Sequence, residues 1–173
     1  MHAVMAGEPI EATLREQPDW QCASQSLALE VGRMRCEIEV QSRSRAEFVD
    51  ITPLVQDLVQ RSGVQEGTCT VFVPHTTAAV TCNENWDPSV QADILATLER
   101  LVPWRITGTP GSSYTHDEGN SAAHIKASLL GASQTLLVNG GRLALGTWQG
   151  LYLAEFDGPR HRRVLVRIMS DAE

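Results

Sequence analysis

The sequence is short of cysteine, aromatics, long apolar runs and positive charge, and each shortage excludes something. Four cysteines, Cys22, Cys36, Cys69 and Cys82, stand among 173 residues, and none forms a CxxC pair. That excludes a zinc ribbon, a redox dithiol and a disulfide-built scaffold. Cys36, Cys69 and Cys82 lie in apolar, β-prone stretches and read as buried structural thiols. No stretch approaches the roughly 20 apolar residues of a membrane span. The first residues lack the basic and apolar regions of a signal peptide, so a soluble, cytoplasmic protein with no membrane partner is expected. Lys and Arg number 14 against 21 Asp and Glu, a formal net charge of −7. This balance excludes a nucleic-acid binder that works by net electrostatics. Aromatic residues make up 5%, and none interleaves with the basic cluster Arg160-His161-Arg162-Arg163, which therefore reads as a solvated hairpin turn.

Enough apolar material remains, at 42%, for a core, and 13 Gly with 8 Pro are too few for a disordered or collagen-like chain. The length suits one domain, expected over 23–173 behind a poorly ordered leader at 1–22. Residues 27–31 and 34–40 read as strands joined by a tight turn at Gly32-Arg33. A strand at 47–51 precedes a helix that Thr52 caps with its hydroxyl and Pro53 opens. Leu54, Val55, Leu58 and Val59 share one face of that helix, and Gly63 ends it. Strands at 68–73 and 78–82 follow. A second helix is capped by Asp87, opened by Pro88 and striped by Val90, Ile94, Leu98 and Leu101. A third runs from Asn120 or Ser121 to Gly131. The rest reads as strands at 135–138, 142–147, 150–156 and 162–168, with an Asn139-Gly140 turn after the first. The pattern predicts an α+β fold, with largely antiparallel, sandwich-like sheets and about three helices.

Three of five histidines sit outside any core-filling pattern: His75 after Pro74, His116 in a turn-like segment, and His124 early in the third helix. Converging imidazoles from separate elements would make a metal site open to water or substrate; otherwise each serves its own turn. Asp117 and Glu118 could orient a metal-bound histidine, act as general acid or base, or merely favour the helix N-terminus beside them. Asn120, with free backbone N–H groups beside it, and Lys126 one turn further in are candidate anion contacts, as is Arg142 past the hairpin turn. For Lys126 and Arg142 the competing reading is a solvated surface side chain. Glu84, in a polar segment with Trp86, is a second acid/base candidate. Gly146 and Gly150 bracket Trp148 and Gln149, either at a close approach to a ligand or with Trp148 in the core.

Three strings carry a resemblance: HTTAAVTCNENWDP (His75–Pro88), HDEGNSAAHIKASLLG (His116–Gly131) and GRLALGTWQGLYLAEFDGPRHRRVLV (Gly141–Val166). They closely resemble the YjbQ-like family, whose members are often labelled secondary thiamine-phosphate synthase, and the likeness spans about residues 24–169. Cys82 stands where an aliphatic residue is expected. The resemblance implies a homotrimer of small α+β domains with a metal site carried onto His75, His116 and His124. It also implies a weak activity joining a pyrimidine pyrophosphate to a thiazole phosphate. Three imidazoles suit zinc, while a departing pyrophosphate calls for magnesium on oxygen ligands. The function expected is thus a metal-dependent enzyme acting on a small phosphorylated molecule, as transferase or hydrolase. The alternative is a non-catalytic trimeric module that binds a metal or small molecule.

Overall fold

The computed structural model describes residues 12–15, 33–106 and 113–171. They form nine strands and three helices in two antiparallel sheets, the α+β arrangement expected. The larger sheet runs β1 (Ala12–Arg15), β2 (Arg33–Gln41), β9 (His161–Ser170), β4 (Gly67–Phe72), β6 (Ser133–Asn139), β7 (Arg142–Leu143). The smaller holds β3 (Glu47–Asp50), β8 (Gln149–Glu155) and β5 (Ala78–Glu84).

Alternation places the core between these sheets. On β9, Val164, Val166 and Ile168 face inward, as do Ile38 and Val40 of β2 and Leu151 and Leu153 of β8. Helix α1 (Thr52–Ser62) joins this core through Val55, Leu58 and Val59. The other face of the smaller sheet is covered by α2 (Pro88–Leu101) and α3 (Ser121–Leu130). Ala79, Ala154 and Phe156 there meet Leu98, Ala123 and Ala127. The molecule is therefore three-layered, and β8 and β5 are buried on both faces.

Several local expectations are corrected. Residues 27–31 lie outside the described residues, and Arg33 belongs to β2 rather than to a turn. Residues 12–15, assigned to the leader, pair with β2 from Ala12↔Val40 to Arg15↔Glu37. Thr52 does not cap α1: its hydroxyl accepts from Leu151 N at 2.8 Å and ties the helix to β8. Leu101, placed on the buried stripe of α2, is 70% exposed because that helix packs through Leu98 and Ile94. The strand expected at 142–147 stops at Leu143, since Gln149 folds back to accept from Gly146 N and makes a turn there. Other signals hold. Asp87 caps α2 through Ser89 N, and Gly63 closes α1 at a φ of 71°. Burial pushes the Cys69 thiol up to about 12, which suits an inert core group.

Candidate functional site

At one end of the smaller sheet the β4–β5 loop, the segment before α3 and the β8–β9 turn enclose a cavity of about 440 Å³. Its lining includes His75, Thr76 and Thr77, then His116, Glu118, Asn120 and His124, and finally Asp157, Arg160 and Arg162. The three histidines singled out by their settings thus share one cavity, although 49 residues of sequence separate the first from the last.

Their states differ. The Nε2 of His75 accepts from Arg163 N at 2.9 Å, so its proton resides on Nδ1. Burial first, then the nearby Arg162 and Arg163 charges, hold His75 below the usual histidine range and keep it neutral. His116 and His124 meet edge to face with ring centroids 5.3 Å apart. The Nε2 of His116 lies 3.9 Å from Glu118 Oε2. Among the described residues, no three His, Cys, Asp or Glu side chains already surround a single point as metal ligands.

Asn120 sits at the α3 N-cap position, 95% buried, yet its side chain caps nothing. Its Nδ2 donates to Asp157 Oδ2 at 3.1 Å and more weakly to Glu118. Its Oδ1 is buried with no donor, the one such side-chain atom among the described residues. A buried acceptor left this way is costly unless something else supplies the contact.

The cavity floor holds a buried ion pair that the sequence reading missed. Glu155 is fully buried, and Arg162 donates to both its oxygens, from Nε at 2.7 Å and from Nη2 at 2.6 Å. Nη2 also reaches Thr77 Oγ1 at 2.8 Å, and Ser42 Oγ donates to Glu155 at 2.9 Å. The expectation of a solvated turn at 160–163 therefore fails for Arg162. The signal was available: Arg162 keeps period-two parity with Val164 and Val166, and Glu155 with Leu151 and Leu153.

Other candidates lie elsewhere. Lys126 is buried and paired with Glu99 of α2, so it is neither a solvated lysine nor a part of the cavity lining. Burial pushes the Glu99 carboxyl up, but hydrogen bonds from Lys126 and Trp104 N win and hold it below its usual range. Asp117 is exposed and outside the lining, and Arg142 lies exposed in β7. Glu84 and Gln149 are paired in register at the far end of the smaller sheet, roughly 20 Å along β5 from its start. Trp148 packs neither in the core nor on the cavity but against Trp86, centroids 5.4 Å apart. Gly150 is required by the Asn85 side chain, which would meet an added Cβ at 2.8 Å.

The model of the family described as UPF0047 protein YjbQ-like matches residues 36–171. The chain belongs to this family. A UPF0047 protein of Methanocaldococcus jannaschii is 46% identical over 141 residues, 80% of this chain and 96% of that protein. YugU of Bacillus subtilis, another UPF0047 protein, is 43% identical over 132 residues, covering 76% and 96%. A crystal structure of a YjbQ/UPF0047 protein from Clostridium acetobutylicum superposes with a TM-score of 0.72 at 50% identity, covering 77% of this chain and 98% of that one. A YjbQ-like protein of unknown function from Sulfolobus solfataricus gives 0.73 at 35% identity, covering 80% and 98%. The YjbQ-like match begins within β2 and includes every residue of the cavity lining. No helix among the described residues is long and apolar enough to cross a membrane.

Proposed function

We propose that this YjbQ-like protein is a cytoplasmic, metal-assisted enzyme acting on a small phosphorylated molecule in the His75–His116–His124 cavity. The observation that carries this reading is that His116, His124 and Glu118 line one cavity with an amide oxygen, Asn120 Oδ1, that no protein group satisfies.

The donor set fits a divalent ion in kind. His116 and His124 offer imidazoles, Glu118 a carboxylate and Asn120 the orphaned oxygen. His75 is not part of that set, because a neutral imidazole has one lone pair and Arg163 N–H occupies it. Zinc suits the two imidazoles, and magnesium suits the oxygen donors if pyrophosphate leaves. When bound, such an ion supplies Lewis acidity toward a phosphoryl oxygen. Glu118, well exposed beside His116, exchanges a proton with the substrate, and Asp157 holds Asn120 and Arg160 in place from behind.

The reaction class is hydrolysis of a phosphate ester or displacement of pyrophosphate. In thiamine-phosphate synthesis, the case the resemblance offers, the thiazole bonds to the pyrimidine carbon, that carbon's bond to the pyrophosphate oxygen breaks, and pyrophosphate leaves. Turnover of the pyrimidine pyrophosphate and thiazole phosphate should fall about a hundredfold in His124→Ala and Glu118→Gln. Protein purified without a His-tag should carry zinc, and His124→Ala should not. Equal rates in wild type and variants defeat the enzymatic reading. Metal binding without turnover of any phosphate ester leaves the non-catalytic module in its place.

The family resemblance adds a trimer as the proposed working unit. Exposed Trp86 and Trp148, with Leu101 and Leu129 on the helical layer, give copies of the chain apolar surface to cover. Light scattering should give about 57 kDa, three times the chain's 18.9 kDa. A lone 18.9 kDa species overturns this.

A further inference from the structure

We propose that the His75 side of the cavity is a separate oxyanion subsite, in which Arg162 Nη1 and His75 Nδ1–H hold the phosphate group of the substrate. The proposal deepens the phosphorylated-substrate reading and rests on it, but it concerns different residues from those assigned to the ion.

Arg162 carries the argument. It is 95% buried and lines the cavity. Its Nε and one Nη2 hydrogen are committed to Glu155, and Nη2 also serves Thr77. Among the described residues Nη1 has no partner, although the side chain cannot move away without abandoning Glu155. A guanidinium fixed in this way is a rigid donor whose orientation costs nothing when a ligand arrives.

His75 supplies the second donor. Because Nε2 accepts from Arg163 N–H, the ring presents Nδ1–H, for which no protein acceptor exists among the described residues. The same backbone bond fixes the ring to β9, the strand that bears Arg162. Thr76, exposed beside them in the lining, adds a hydroxyl. His75, Thr76 and Arg162 thus line one space, and the two on rigid supports each keep a donor that no protein group takes among the described residues.

The geometry selects among anions. A planar carboxylate is best held by two parallel N–H groups of one guanidinium. On Arg162 that two-toothed edge is already occupied by Glu155, which leaves a single-point donor. A tetrahedral phosphate, whose oxygens can each take a donor from a different side chain, matches what remains. The Arg162–Glu155 pair is neutral as a unit, so phosphate is bound by directed hydrogen bonds rather than by net charge, and modest affinity follows.

The test uses sodium phosphate as probe in metal-free buffer, with the full-length chain followed by amide chemical shifts. Wild type should show saturable shifts around 75–77 and 162–163. His75→Phe should weaken phosphate binding at least tenfold while leaving the zinc affinity, measured in a separate titration, unchanged. Arg162→Lys keeps a charge beside Glu155 but removes Nη1, and should weaken phosphate similarly. If that variant unfolds, His75→Phe alone decides. Wild-type phosphate affinity in folded His75→Phe overturns the subsite, whatever happens to zinc and turnover. Acetate binding as tightly as phosphate overturns the phosphate assignment. Conversely, His75-dependent phosphate binding in a chain that neither binds zinc nor turns over leaves the subsite standing and defeats the proposed function instead.

Discussion

Arg162→Met should cost about 3–5 kcal/mol of folding stability, because removing one member of a buried ion pair strands the other. Glu155 is fully buried and sits on the inward face of β8. After the substitution its carboxylate keeps only Ser42 Oγ and the N–H groups of Phe156 and Asp157. Those contacts do not replace two charge-assisted bonds under 2.8 Å. The double variant Arg162→Met, Glu155→Leu removes the stranded charge and should regain much of the loss. Urea unfolding midpoints of wild type, the single variant and the double variant measure both effects. A single variant as stable as wild type, or a double variant worse than the single, contradicts the account.

Gly67→Ala should cost about 3 kcal/mol, at the upper end for a single added carbon. A Cβ at this position would lie 2.0 Å from the Met169 carbonyl oxygen. That oxygen is backbone, so no side-chain rotation relieves the clash, and β4 lies between β9 and β6 with neither neighbour free to retreat. Relief requires a break in the pairing Gly67↔Ser170 at the strand start. Thermal unfolding of Gly67→Ala beside Gly63→Ala calibrates the effect. Gly63 has nothing within 4 Å of its virtual Cβ and carries strain from φ alone, so its variant should lose less. Equal losses at both positions would show that steric approach is not what selects glycine at 67.

What the sequence made legible was local. Asp87-Pro88 and Gly63 identify helix ends because capping chemistry acts over one turn. The antiparallel strands follow from alternation that any reader of Met34–Val40 can count. Thr52 misled for an instructive reason: a hydroxyl before proline looks like a cap, yet this one is spent on Leu151 N, 99 residues away. The site divided along the same line. His75, His116 and His124 were recognisable as out of place, but their common cavity depends on how the sheets stack, which no window of residues contains. Glu84, Trp148 and Gln149 looked equally pocket-like by composition, and the run of β5 sends them to the opposite end. Lys126 looked surface-exposed or ligand-binding because its partner, Glu99, belongs to another helix. Arg162 is hidden by company: Arg160, His161 and Arg163 beside it mask its inward parity.

The strand order has a consequence for how the molecule is made. Among the described residues the last strand in sequence, β9, lies between β2 and β4 and supplies both of their pairings on that side. Before it is synthesised, those two strands have no bridge between them, and two open edges stand where the middle of the larger sheet will be. Arg162 and the Arg163 amide that fixes His75 arrive on the same strand. Completion of the sheet and completion of the cavity are therefore one event. A nascent chain passes from having neither to having both when its last strand inserts, and no earlier fragment carries a working pocket on an unfinished fold.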